Sequence, residues 1–437
     1  MELPSYFNKY LSNIQPSIER VAAVSDAQVT LREHLVNDCA LKWEAEHSVL
    51  AGSYGRDTAC HPIKDADVVL LMKHKKVEDE NRKPNPVEVL TDLKKGIEEY
   101  YENVDIREQR RSIRVTVEGE TTDNEVFLDV VPAIAPNGSE KPLWVPDRER
   151  QKWLQSNPVG YAIYATEKNQ KTKGRYVKLV KTLKAWLTRH IQEFNRPKSY
   201  LMEVLVNKSY ADTSESLPVA FHGTMRNLLE FLDPYAQKGE MPLIPDPSLQ
   251  GNDLSQSCRW TLSSLKALAF DLKKSVDLSR RAIDEKDKDR SVTLWKDVLG
   301  PSYPESLSDE EAKLGENPQV TRKEYSHDVS IRARVAKEKG GTLIEEYPSG
   351  GRRLEKGMWL KFEITKCTVP EGFEVNWLVR NHGKEARADR DGLGHNTRTK
   401  EKTQWEKTQY KGHHFMDCEI LKDNKRLAVT RHRVNIR

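Results

Sequence analysis

The sequence predicts an α/β (α+β) protein: a mixed sheet with a helical lobe, followed by a small all-β domain. Three observations predict it. Strand-length apolar runs, such as Val68–Met72, alternate with stretches of helical spacing in the first third of the chain. From Tyr176 to Leu299 the apolar spacing is mostly helical. Beyond Ser326 short strand-like runs stand between Gly-, Asn- and Lys-rich turns. The 437 residues suffice for two or three domains with full cores. The expected boundaries are a body at 1–300 (sheet about 50–150, helical lobe about 151–300), a linker at 301–325 and a β-rich domain at 326–437.

Residues 1–50 read as helical, with Leu31, Leu35, Cys39, Trp43 and Leu50 forming an apolar stripe that leads into a turn at Gly52-Ser53. Val68–Met72 is a buried strand, Lys73–Pro86 a charged loop and Val87–Tyr101 an amphipathic helix. Arg111–Val117 alternates, with Ile113, Val115 and Val117 on one face; Glu125–Val131 follows after a turn at 119–124, and Pro132 is expected to end it. Leu143–Pro146 continues the sheet edge. Tyr176–Phe194 is a strong helix with Val177, Val180, Leu183, Leu187 and Ile191 as its buried stripe. Shorter helical pieces at Met202–Leu205 and Met225–Phe231 precede a Pro/Gly/Asp loop, Pro242–Leu254, and a long helix, Trp260–Ala282. The C-terminal runs Trp359–Thr365, Glu374–Val379, Phe415–Ile420 and Leu427–Ile436 fit a small sandwich.

The chemistry concentrates in Ala51–Met72. A short Gly/Ser turn exposes backbone N–H groups, and the Ser53 hydroxyl adds to them, so Gly52-Ser53 can hold a phosphate tail. Asp65 and Asp67 stand two apart at the start of a strand, so both project from one face. Adjacent carboxylates repel unless something positive lies between them, which points to a divalent metal. Asp129, the lone acid in an apolar strand, needs a metal, a cation or the protein edge. Taken singly, Asp65 or Asp67 reads equally well as a solvated strand start, and Gly52-Ser53 as an ordinary helix stop. The ordered set fits two-metal phosphoryl transfer.

Gly52-Ser53, Asp65-x-Asp67 and Asp129 together resemble the bacterial branch of the oligoadenylate-synthase and cGAS-like nucleotidyltransferases, the CD-NTases of antiphage signalling. The resemblance implies a polymerase-beta-like core in which Gly52-Ser53 holds a donor triphosphate. It also implies that Asp65, Asp67 and Asp129 carry Mg²⁺ or Mn²⁺. A family lysine and serine on successive helices fall at Lys181 and Ser199, with Lys178 nearly as good a register for the lysine. The segment Asp246-Pro247 to Asn252 also matches the family. NTPs, ATP among them, are the implied substrates.

The tail carries a second resemblance. Trp377, Val379, Asn381, Gly383 and Ala386, then Tyr410, Gly412, His414, Cys418 and Ile420, resemble the C-terminal sensor domain appended to some cyclase and CD-NTase proteins. The formal charge of +4 is uneven: from Ser326 onward 24 Lys/Arg face 16 Asp/Glu, a net +8, leaving −4 for the body. A basic module on an acidic body suggests an anionic ligand or nucleotide there, with Arg387, Arg390, Arg398, His413 and His414 as candidate phosphate contacts, or simply a solvated basic surface. His413, His414 and Asp417 give weak support for a metal. Trp377 reads as core.

Apolar residues are 37% and charged residues 32%, a hydrophilic but globular balance. No apolar run approaches membrane-spanning length, and five cysteines without a C-x-x-C pair read as reduced thiols, so a cytoplasmic protein is expected. The expected function is synthesis of a cyclic or short linear oligonucleotide messenger, read by a separate effector protein. The alternatives are a nucleotidyltransferase that modifies RNA or protein, and a non-catalytic nucleotide sensor acting through the C-terminal domain.

Overall fold

The computed structural model describes residues 1–39, 41, 43, 45–61, 65–72, 83–100, 104–117, 126–135, 142–191, 196–211, 216–313, 327–381, 385–386, 389, 392, 394–422 and 425–437. The expected turn at 119–124, most of the charged loop at 73–86, Gly383, Arg387, Arg390 and the side chain of His413 lie outside the described parts. The chain forms two compact units. One comprises residues 1–17, 35–95 and 105–322; the other comprises 18–34, 96–104 and 323–437.

The chain starts with helices α1 (Pro4–Ile14) and α2 (Ile18–Glu33), the latter running into a π-turn at His34–Asp38. The sheet of the first unit follows: β1 (Ala45–Ala51), the one-turn helix α3 (Gly52–Gly55) and β2 (Asp65–Met72). After α4 (Pro86–Tyr100) come β3 (Ile106–Glu108), β4 (Ile113–Val117), β5 (Val126–Ile134), β6 (Leu143–Asp147) and β7 (Lys152–Ser156). The strand order is β1-β2-β5-β4-β3, with β6 paired to the end of β5 and β7 to β6. Only β2 and β5 run parallel among these pairs; the sheet is mixed.

Two expectations are corrected here. The stretch before the Gly-Ser turn is a strand, not a continuation of the helical stripe. Its residues Ala45–Ala51 take their hydrogen bonds from β2, and Val49 and Ala51 join Val69, Leu71, Ala133, Leu143 and Val145 in one apolar cluster. A ladder partner supplied by the fold overrides a four-residue spacing. Pro132, in turn, does not end its strand. The pairing of β5 with β4 stops at Val130, so the missing N–H at Pro132 falls where that side of the ladder is already over.

The helical lobe consists of α5 (Pro158–Lys171), α6 (Arg175–His190), α7 (Ser199–Ser209), α8 (Leu217–Lys238), α9 (Leu254–Ser257), α10 (Leu262–Asp284), α11 (Lys288–Leu299) and α12 (Asp309–Lys313). Asn157 caps α5 by accepting from the Gly160 N–H at 2.9 Å, with Pro158 at the first helical position. Leu179, Val180, Leu183 and Leu187 of α6 are buried, and Phe7 of α1 packs edge-on against Trp295 at 4.7 Å. Tyr303, within the stretch expected as a linker, is buried in this same core.

In the second unit β8 (Val329–Ala336), β9 (Leu343–Tyr347), β10 (Trp359–Cys367) and β13 (Thr403–Lys407) form one four-stranded sheet. The other contains β11 (Glu374–Asn381), β12 (Gly394–Thr399), β14 (Gly412–Lys422) and β15 (Lys425–Ile436). Leu360, Phe362, Val335, Trp377, Cys418 and Ile420 fill the space between them, so Trp377 is core. Helix α2 belongs to this unit: Arg433 on β15 donates to the Thr30 hydroxyl and pairs with Glu33, each at 3.3 Å.

Candidate active site

Strand register assembles the site. Ala51 on β1 lies opposite Asp67 on β2, Asp67 opposite Asp129 on β5, and Asp129 opposite Arg114 on β4. Cross-strand partners share a face, and Asp65 shares it by its two-residue offset from Asp67. The opposite faces of β2 and β5 carry Ala66, Val68, Leu70, Leu128 and Val130, all fully buried. Burying that apolar face therefore turns Asp65, Asp67 and Asp129 to the other side together. The three sequence-predicted acids do converge.

Their electrostatics are uneven. Arg114 donates through Nε and Nη2 to both oxygens of Asp129, at 2.8 and 2.7 Å, and through Nη2 to Asp65 at 3.2 Å. The Asp67 carboxylate accepts no hydrogen bond from any described residue. Burial, then the negative charges of Asp65 and Asp129, push its carboxyl up to about 7, with Arg56 and Arg114 pulling only partly back. Gly52 closes over it: φ is +63°, and a Cβ there would stand 1.7 Å from the Asp67 Oδ2. Only glycine permits that backbone to pass so close to the carboxylate.

The segment behind the turn is anchored in the helical lobe by a carboxylate that sequence reasoning missed. Glu203 on α7 is fully buried and receives Arg56 through Nε at 3.0 Å and Nη2 at 3.1 Å, the Thr58 hydroxyl at 2.9 Å, and Lys184 at 3.3 Å. Burial raises its pKa, but Arg56 and Lys184 outweigh that and hold it below the ordinary value. Lys181, itself buried, donates to Asp57 at 2.9 Å, which ties it to the residues just after the Gly-Ser turn. Lys178 is half-buried one turn earlier on α6. Ser199 is the exposed first residue of α7, the helix that carries Glu203. Tyr161 is part of the lobe's core, with the Arg56 guanidinium 5.0 Å from its ring centre. Asp246 accepts from Tyr200 at 2.8 Å and from Asn252 at 3.0 Å, which fixes the Pro/Gly/Asp loop against α7.

Arg114 and Glu203 each left a trace in the sequence. Arg114 is a cation on the polar side of an alternating strand, and Glu203 is a lone acid in the apolar run Tyr200–Val206. An acid inside an apolar run is costly unless it is paired, in Glu203 as in Asp129.

The donor set suits a hard divalent cation, because it is made of carboxylate oxygens and the charge of one carboxylate is only partly compensated. Among the described residues, however, no group of three His, Cys, Asp or Glu is arranged to hold a metal as it stands. Arg114 occupies part of that role. In the second unit the two candidate phosphate contacts whose side chains are described are otherwise engaged. His414 is buried with its Nε2 at 2.7 Å from the Tyr410 carbonyl oxygen, and Arg398 pairs with Glu374. Asp417 is held by Arg431 at 2.6 Å and Arg380 at 2.9 Å. Among the described residues no helix is long and apolar enough to cross a membrane.

Comparison with known proteins adds the following. Residues 1–169 match the Second Messenger Oligonucleotide or Dinucleotide Synthetase domain, and residues 310–437 match the Adenylyl/Guanylyl and SMODS C-terminal sensor domain. The chain is 30% identical to a cyclic AMP-AMP-AMP synthase of an Acinetobacter species over 323 residues, covering 71% of this chain and 88% of that one. It is 23% identical to a cyclic AMP-AMP-GMP synthase of Enterobacter hormaechei, covering 70% and 92%. Its fold is similar to that of CdnC from E. coli MS115-1, solved with ATP, with a TM-score of 0.54 and 16% identity over 68% of this chain and 98% of that one.

Proposed function

This chain belongs to the CD-NTase family of cGAS/DncV-like nucleotidyltransferases, the NTP-consuming messenger synthases of antiphage systems, and we propose that its product is a cyclic oligonucleotide built with ATP among the substrates. The reaction joins a 2′- or 3′-hydroxyl of one nucleotide to the α-phosphate of another and releases pyrophosphate. The observation that carries this reading is the register that sets Asp67 beside Asp129, with Asp65 on the same face and the Asp67 charge only partly compensated. Asp65, Asp67 and Asp129 would hold Mg²⁺ or Mn²⁺. When bound, the cations supply Lewis-acid activation of the hydroxyl and stabilisation of the leaving pyrophosphate.

The chain's own residues do the positioning. Gly52 and Ser53 present backbone and hydroxyl donors to the triphosphate next to Asp67. Lys181, with Lys178 as the alternative, adds positive charge to the phosphates, and Ser199 adds a hydroxyl at the start of α7. Glu203 holds Arg56 and so fixes the chain immediately after the turn. The relatives' three-nucleotide rings make a cyclic trinucleotide the first product to look for.

Incubation of the protein with four labelled NTPs and Mg²⁺ or Mn²⁺, then phosphatase and mass spectrometry, tests the reading. A phosphatase-resistant cyclic product supports it. Label transferred to RNA or protein instead would favour a modifying transferase, and tight nucleotide binding without turnover would favour a sensor.

A further inference from the structure

We propose that Arg114 is an internal counter-ion that latches the resting site, and that a divalent cation loads by displacing its guanidinium from Asp65 and Asp129. The inference rests on the metal-dependent reading above. The guanidinium covers both oxygens of Asp129, at 2.8 and 2.7 Å, and one oxygen of Asp65, at 3.2 Å, so it occupies acceptors that a hard cation requires. It cannot keep these hydrogen bonds once a dication binds the same oxygens, because two positive groups would then face each other within a few bond lengths in a site only partly open to water.

The side chain has somewhere to go. Arg114 is 27% exposed, so its guanidinium can swing toward water, and its present contact with the Phe127 ring, 5.2 Å from the ring centre, does not depend on either carboxylate. The fork's hydrogen bonds go to Asp129 and Asp65 and none to Asp67, so the latch leaves one carboxylate to attract the first cation. Arginine is the residue that can bridge two carboxylates in this way; a lysine is a point charge without the planar fork. A site latched most of the time binds its cation more weakly by the fraction of time it is open.

The test is a Mn²⁺ titration of the nucleotide-free full chain, followed by the EPR signal of free Mn²⁺, with R114Q and R114K beside the unaltered protein. Glutamine keeps a hydrogen bond for Asp129 while removing the charge. R114Q should bind Mn²⁺ about tenfold more tightly, as expected for removal of a competitor engaged about nine-tenths of the time. R114K should fall between the two. A positioning residue that merely orients Asp129 gives the opposite sign, so equal or weaker Mn²⁺ binding in both variants overturns the latch. D65N and D129N should weaken Mn²⁺ binding with or without R114Q. If they do not, the metal reading of the site fails, and the latch with it.

Discussion

Asp67 and Glu203 are carboxylates of the same compact unit, both largely withdrawn from water, and the fold treats them in opposite ways. Glu203 receives two arms of Arg56, the Thr58 hydroxyl and Lys184, and is held below its ordinary pKa. Asp67 faces two other acids, takes no hydrogen bond from a described residue, and is pushed up to about 7. Arg56 serves both, but its fork is given to Glu203 and only its field reaches Asp67. Asp417 in the sandwich behaves as Glu203 does, with Arg431 and Arg380 holding it low against its burial. Burial of an acid therefore does not mark a ligand site. On the reading proposed above, a deficit of positive charge does.

The strongest way to break this contrast is to remove each acid. Replacing Asp65 and Asp67 together by alanine should lower product formation at least about a thousandfold, because charge stabilisation is usually the largest contribution to such reactions. Thermal unfolding of that variant should stay near that of the unaltered protein; retained synthesis would sink the assignment. Glu203→Ala should do the reverse of sparing the fold, costing about 3–5 kcal/mol by leaving Arg56 and Lys184 without their partner. Urea unfolding checks it, and a loss under about 1 kcal/mol would mean the network is not structural.

A pH series sharpens the contrast. Asp67 carries a proton more tightly in the folded state, at about 7, than at its unfolded value of 3.8. The native form binds more protons between those values. That contribution to stability is present below about pH 4 and lost as pH rises through about 7. Metal-free protein should therefore lose more stability between about pH 5 and about pH 8 than D67N does, by scanning fluorimetry. Parallel curves would show that the Asp67 charge is compensated after all. The smallest expected effect belongs to the lysines. K181M should raise the KM for NTP by roughly tenfold with less change in kcat, as for loss of a charge-assisted phosphate contact, and K178M should do less. The reverse ranking would assign the register to Lys178.

Much of this site was legible because strands have a period of two. Asp65, Asp67 and Asp129 could be placed on strands from apolar runs alone, and the all-β tail announced itself by its turns. What pairs with what was not legible. Arg114 becomes a partner of Asp129 only when β4 takes its place beside β5, and Glu203 meets Arg56 across 147 positions of sequence. The strand at Ala45–Ala51 was hidden for the same reason, since its ladder partner lies beyond the turn. His414 misled in the other direction: a histidine in a basic tail reads as a surface group, yet β14 lies inside its sheet, between β11 and β15.

Helix α2 has a consequence of a different kind. The natural place to divide this sequence is the polar stretch after Leu299, and the two matched family domains fall on either side of it. Yet Arg433, near the last residue, reaches Thr30 and Glu33, and the second unit draws 18–34 and 96–104 from the front of the chain. A recombination event that exchanged the tail at that stretch would deliver a new sheet to a helix shaped for the old one. The tail is therefore not a freely interchangeable cassette, and the history of β15 should be written in α2 as well.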